Sequence, residues 1–136
     1  MNEKKLKHLE FIQAVITRLA TNSFLIKGWS VTLVAAIFAL AAKDAKPVFA
    51  LVTYLPVVSF WVLDAFFLSH ERKYRELFET VAAKDESAVD FSMATSHFKK
   101  KNLTVPSCAF SSTIFAFHGT LILAVTAMMI FLVKRG

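Results

Sequence analysis

Apolar positions along this chain fall into three long blocks, Phe24–Ala42, Pro47–Ser69 and Leu103–Val133, and charge is confined largely to the stretches between them. Uninterrupted blocks, rather than apolar residues at helical or strand spacing, are the pattern of membrane-spanning helices. The first block, FLIKGWSVTLVAAIFALAA, is broken only by Lys27. Counted from Trp29 it would reach about 21 Å, short of a hydrocarbon core of about 30 Å, so the span has to begin at Phe24. Lys27 then lies near the boundary, where its stem can snorkel, and Trp29 suits an interfacial anchor. The turn KDAK, Lys43 to Lys46, forces an antiparallel hairpin, and Pro47 suits the first position of the returning helix. That second span, about 23 residues or 34 Å long, contains Pro56, which predicts a kink. The third block is long for one span and short for two. It predicts a single span from about Ser112 to Val133, preceded by an interfacial segment bounded by Pro106.

Two amphipathic segments flank the hairpin. Before it, Leu6, Leu9, Ile12, Val15, Ile16 and Leu19 recur at steps of three and four, with Lys5, Glu10, Gln13 and Arg18 mostly on the other side. This lead is too long and too acidic for a secretory signal, although Ala39-Leu40-Ala41 resembles a cleavage site. After Ser69 the second span runs on without glycine or proline, and Tyr74, Leu77, Phe78 and Val81 form a stripe opposite Arg72, Arg75, Glu76 and Glu79. The expectation is that this stripe packs against Leu9, Ile12 and Ile16, or against another subunit. In the polar connector that follows, Asp90 or Ser92 could cap a short helix. Four parts result: residues 1–23, an amphipathic cytosolic helix; 24–69, a transmembrane hairpin (24–42 and 47–69); 70–102, a cytosolic helix and connector; and 103–136, a third membrane segment.

Composition narrows the class. Hydrophobic residues make up 56% of the 136, and glycine and proline number only three each, too few for the turns of a β-barrel. The fold class is therefore an all-α integral membrane protein. The net charge of +6 sits on the connecting segments, where basic residues orient spans and attract anionic lipid. The bilayer, and not nucleic acid, is the partner this basicity implies. The first 23 residues and the Ser69–Asn102 segment carry most lysines and arginines, which predicts a cytoplasmic N-terminus. KDAK and the terminal Lys134-Arg135 then lie outside.

The candidate chemistry is sparse. There is no HExxH, GxSxG, phosphate loop or CxxC pair, so no catalytic residue, cofactor or metal ligand is expected. Asp64 is the anomaly, a carboxylate inside an apolar run. From the middle of the turn, Lys27 lies about eighteen residues back and Asp64 about nineteen forward, so at 1.5 Å per residue both reach similar depth. An unpaired carboxylate there is costly, and Lys27 is its nearest remedy, with Asn22 or Ser23 adding hydrogen bonds. Such a pair could fix the hairpin or serve an ion pathway; alternatively the two charges are solvated separately. His118 stands in a block with no charged neighbour; the expectation is a neutral ring bonded to a serine or backbone carbonyl of another helix, with a pore or relay role as the alternative. His8, His70 and His97 fall on polar segments and read as solvated. Cys108, the lone cysteine, reads as a small apolar side chain. Ala35, Ala36, Ala39 and Ala42 offer a smooth face for packing within the hairpin or between copies.

The order of parts, a cytosolic amphipathic helix, a two-helix membrane hairpin with a tight turn and a helical cytosolic extension, resembles the SLATT-type small bacterial membrane proteins. The stretches HLEFIQAVITRLATNSFLIKGW and FWVLDAFFLSHERKYRELF are similar to a group of bacterial membrane proteins of this build. The resemblance covers Lys4 to Val81 and lies in the order of parts, with no catalytic motif to carry across. It implies a bacterial inner-membrane protein acting as an oligomeric pore-forming or membrane-perturbing effector in antiphage defence. The alternative is a membrane scaffold or accessory subunit that tethers a cytosolic protein partner.

Overall fold

The junction between the amphipathic lead and the first apolar block is not a break in the backbone. In the computed structural model, which describes residues 2–136, helix α1 runs unbroken from Glu3 to Asp44, 42 residues. Asn2 caps its start by accepting from the Lys5 amide at 2.9 Å. It ends at Ala45, whose φ of 51° is left-handed and whose amide closes on the Ala41 carbonyl. Helix α2 spans Pro47–Ala83, 37 residues, and passes through Pro56 with no interruption of the helix. At 1.5 Å per residue α1 is about 63 Å long and α2 about 55 Å, so each extends well past a 30 Å hydrocarbon core. Two short turns of 3₁₀ helix, Glu86–Ala88 and Lys101–Leu103, interrupt the connector. A five-residue helix α3 (Val105–Ala109) and the 24-residue helix α4 (Ser112–Arg135) follow. Among the described residues there is no strand. Three helices, α1, α2 and α4, are long and apolar enough to cross a membrane.

Helix α2 lies between the other two. At one end of the bundle Ala41, Ala50 and Leu132 share a buried cluster, so the C-terminus of α4 lies beside the α1–α2 turn. Midway, Val34, Val57 and Val125 meet. At the other end the stripes of the two long helices come together: Leu9, Ile12, Ile16, Leu77 and Val81 are buried, with Tyr74 and Phe78 packed against them. Met93 and Phe98 of the connector join this cluster, a contact that the connector's irregular pattern did not announce.

The connector forms no capped helix at Asp90 or Ser92. Asp90 instead accepts from the Ser92 amide, and Ser92 accepts from the Ala94 amide, so both side chains satisfy local turns. Phe91 takes a φ of 55° there, which brings its ring against His8 and Phe11. His8 is thus not solvated as expected: it is fully buried, with Nε2 3.0 Å from the Ser92 carbonyl. The alanines of α1 also differ from one expectation, since Ala35, Ala36, Ala39 and Ala42 are exposed and turn away from the hairpin.

Returning toward the membrane, the chain is stitched to α2 step by step. Lys100 bonds Glu76, Arg72 donates to the Asn102 carbonyl at 2.8 Å, and the Ser69 hydroxyl bonds the Leu103 carbonyl. Lower down, the Trp61 indole donates to the Ala109 carbonyl at 2.9 Å, and Tyr54 and Thr126 share a hydroxyl bond at 2.7 Å. These contacts set the register of α4 on α2 and thereby the position of His118.

Candidate functional site: a buried charge cluster shared by three helices

Asp64 has no solvent exposure. Counting five residues from Ser69, it lies about 7.5 Å inside the end of the apolar block. A carboxylate there has to be neutralised and its lone pairs filled. All three long helices contribute. From α1, Lys27 brings Nζ to 2.7 Å from Oδ2, and the Ser23 hydroxyl donates to Oδ1. From α4, His118 Nε2 stands 2.8 Å from the same Oδ2. Lys27 also donates to Ser23 Oγ at 2.8 Å, which closes a ring of bonds among lysine, serine and carboxylate. The spacing of Ser23 and Lys27, four residues apart on one helix, places both on the face that meets α2.

The partner of His118 is therefore neither a serine nor a backbone carbonyl but Asp64. Its own block holds no acid, so only the packing of α4 on α2 could reveal it. Fully buried, the imidazole stacks on Trp61 at an interplanar angle of 7°, with Phe117 against its edge. Nδ1 makes no hydrogen bond. Facing a carboxylate, which can only accept, Nε2 is the donor of this bond. The Lys27 ammonium lies 6.0 Å from the Phe117 ring, and its side chain retains 20% exposure, a path toward the boundary.

The wiring decides what chemistry the cluster offers. Serine, histidine and aspartate are all present, but Ser23 and His118 both address the carboxylate, and the imidazole does not reach the serine hydroxyl as a general base would. No group of three or more metal-ligating side chains gathers among the described residues. The cluster holds buried charge where, among the described residues, all three spans meet through polar atoms.

The other residues singled out in sequence lie elsewhere. Leu9, Ile12, Ile16, Tyr74, Leu77, Phe78 and Val81 form the apolar core at the polar end of the bundle. Trp61 is the site residue that sequence reasoning missed; its position three residues before Asp64, hence on the same helical face, was the available signal. Compared with known proteins, the chain matches no family model, no curated protein and no solved structure.

Proposed function

We propose that the protein is a non-enzymatic bacterial inner-membrane protein with a cytoplasmic N-terminus, acting as an oligomeric pore-forming or membrane-perturbing effector of the kind used in antiphage defence. The observation that carries this reading is how little of each span is covered. Only 17%, 22% and 17% of the most apolar windows of α1, α2 and α4 is buried within one subunit. Three helices in mutual contact leave no lumen, so any conducting path needs several copies, and each subunit has ample surface to give them. The exposed alanines of α1 allow close helix approach there. The Asp64 cluster supplies the element that can change state: rupture of its bonds removes the polar link among the three spans and leaves unpaired charge in the membrane interior.

The test is reconstitution of the full chain into dye-loaded vesicles, with mass measured in mild detergent. A closed homo-oligomer that releases dye, and whose leakage changes in Asp64→Asn while folding persists, supports the proposal. A monomer that leaves vesicles sealed under every condition of pH and potential would sink it. One observation favours the scaffold alternative: Phe11 and Phe91, 47% and 41% exposed, stand together on the polar end as an aromatic patch suited to a cytosolic protein partner.

A further inference from the structure

Where the connector rejoins α2, its lysines gather around a cleft of about 350 Å3. Lys73 of α2 and Lys99 and Lys100 of the connector line it, with the hydroxyl-bearing Ser96 and Thr104, and no carboxylate does. Its size falls in the range of about 300–1,000 Å3 usual for small-ligand sites. Glu76 holds the Lys100 ammonium at 2.8 Å by both oxygens, which fixes one wall. The ion pairs of the described residues include neither Lys73 nor Lys99, so both lysines line the cleft without a carboxylate partner. Against its base, Leu103 is 2% exposed and bonded through its carbonyl to Ser69, the last residue of the apolar block.

Height and polarity together indicate the ligand. Lys73 lies one turn, about 6 Å, beyond Ser69, so the cationic rim stands just above the hydrocarbon boundary. Phe66 is seven residues before Lys73, on the same face of α2, and it is 44% exposed below the rim. A ligand that satisfies both levels carries a phosphate above and acyl chains below. We propose that this cleft binds the headgroup of an anionic phospholipid, with phosphate oxygens on Lys73 and Lys99 and the acyl chains running down past Phe66. The site does not depend on the pore reading, only on the spans lying in a bilayer.

Native mass spectrometry of the full chain in detergent, titrated with phosphatidylglycerol or phosphatidylcholine, tests the proposal. The wild type should retain phosphatidylglycerol preferentially. Lys73→Gln with Lys99→Gln should weaken that retention by about thirty-fold, the equivalent of roughly 1 kcal/mol per lysine near a membrane surface. Lys73→Arg with Lys99→Arg should restore it, and Lys43→Gln with Lys46→Gln, which removes the same charge at the opposite end, should leave it unchanged. Equal retention by the glutamine variant overturns the proposal, as does equal loss in the Lys43/Lys46 control. Displacement of the lipid by millimolar inorganic phosphate alone would assign the cleft to a soluble phosphate and overturn the lipid assignment. Lys99 is exposed and Lys73 half-buried, and an unchanged helical melting curve verifies that the variants fold.

Discussion

Replacing Asp64 by alanine removes the acceptor that Lys27, Ser23 and His118 share. Loss of one partner of a buried pair costs about 3–5 kcal/mol, because the other charge is stranded. The two remaining donors each forfeit about 1 kcal/mol, while snorkelling of the partly exposed Lys27 returns part of the penalty. The expected net loss is therefore about 3–5 kcal/mol. Lys27→Ala is milder, about 1–3 kcal/mol, since Asp64 keeps its hydrogen bonds to Ser23 and His118. The double variant strands no charge and should recover about 2 kcal/mol relative to the sum of the singles. For a chain of this size 1 kcal/mol corresponds to roughly 3–4 °C, so Asp64→Ala should melt roughly 10–20 °C lower. The assay is loss of the monodisperse chromatographic peak after heating in detergent, all variants treated identically. Strict additivity of the two singles, or a melting point for Asp64→Ala within about 2 °C of wild type, refutes the shared-acceptor argument.

Three further outcomes follow from other parts of the molecule. Leu77→Ser with Phe78→Ser should leave membrane insertion intact but cost about 3–5 kcal/mol in the packed polar end, read as proteolysis of α2 beyond Ser69, because a buried apolar side chain is worth about 1.5–3 kcal/mol. Ala45→Gly should raise the melting point by the equivalent of about 0.5–1 kcal/mol, since the left-handed turn residue carries a Cβ penalty; a lower melting point would show that the turn is held by something else. A cysteine placed at Asp44 should react with an impermeant thiol reagent in intact cells and one at Ser87 should not; the reverse pattern inverts the topology. The native thiol of Cys108 stays silent in that experiment because it is buried, and burial pushes its pKa up.

The features that could be read in advance are those set by helical arithmetic. Three apolar blocks mark three long helices, and counting outward from the KDAK turn matches Lys27 to Asp64 because an antiparallel hairpin leaves no freedom of register. The stripes around Ile12 and Leu77 meet for the same reason. What lay beyond reach depends on the irregular connector between Lys84 and Asn102, which carries no period. Its path decides that Met93 and Phe98 seal the polar core, that Phe91 covers His8, and how far α4 slides along α2. The bond between His118 and Asp64 inherits its register from that slide, so counting along one block could not produce it.

The continuity of α1 through the membrane boundary has a mechanical meaning. Lys27 divides the helix into an outer arm of 24 residues, back to Glu3, and an inner arm of 17, forward to Asp44. At 1.5 Å per residue these arms measure about 36 Å and 26 Å. With Lys27 and Ser23 tied to Asp64, a rigid-body tilt of α1 would turn about this point, against the packing of Leu9, Ile12 and Ile16 at one end and Ala41 at the other. A sideways push of about 3 Å on the polar tip would then swing the far end by about 2 Å in the opposite direction. Distances between spin labels at Glu3 and at Asp44, measured against fixed labels on α4, would register the two swings with opposite sign. The tether that makes a carboxylate tolerable in hydrocarbon is by position also the fulcrum about which any such tilt would turn.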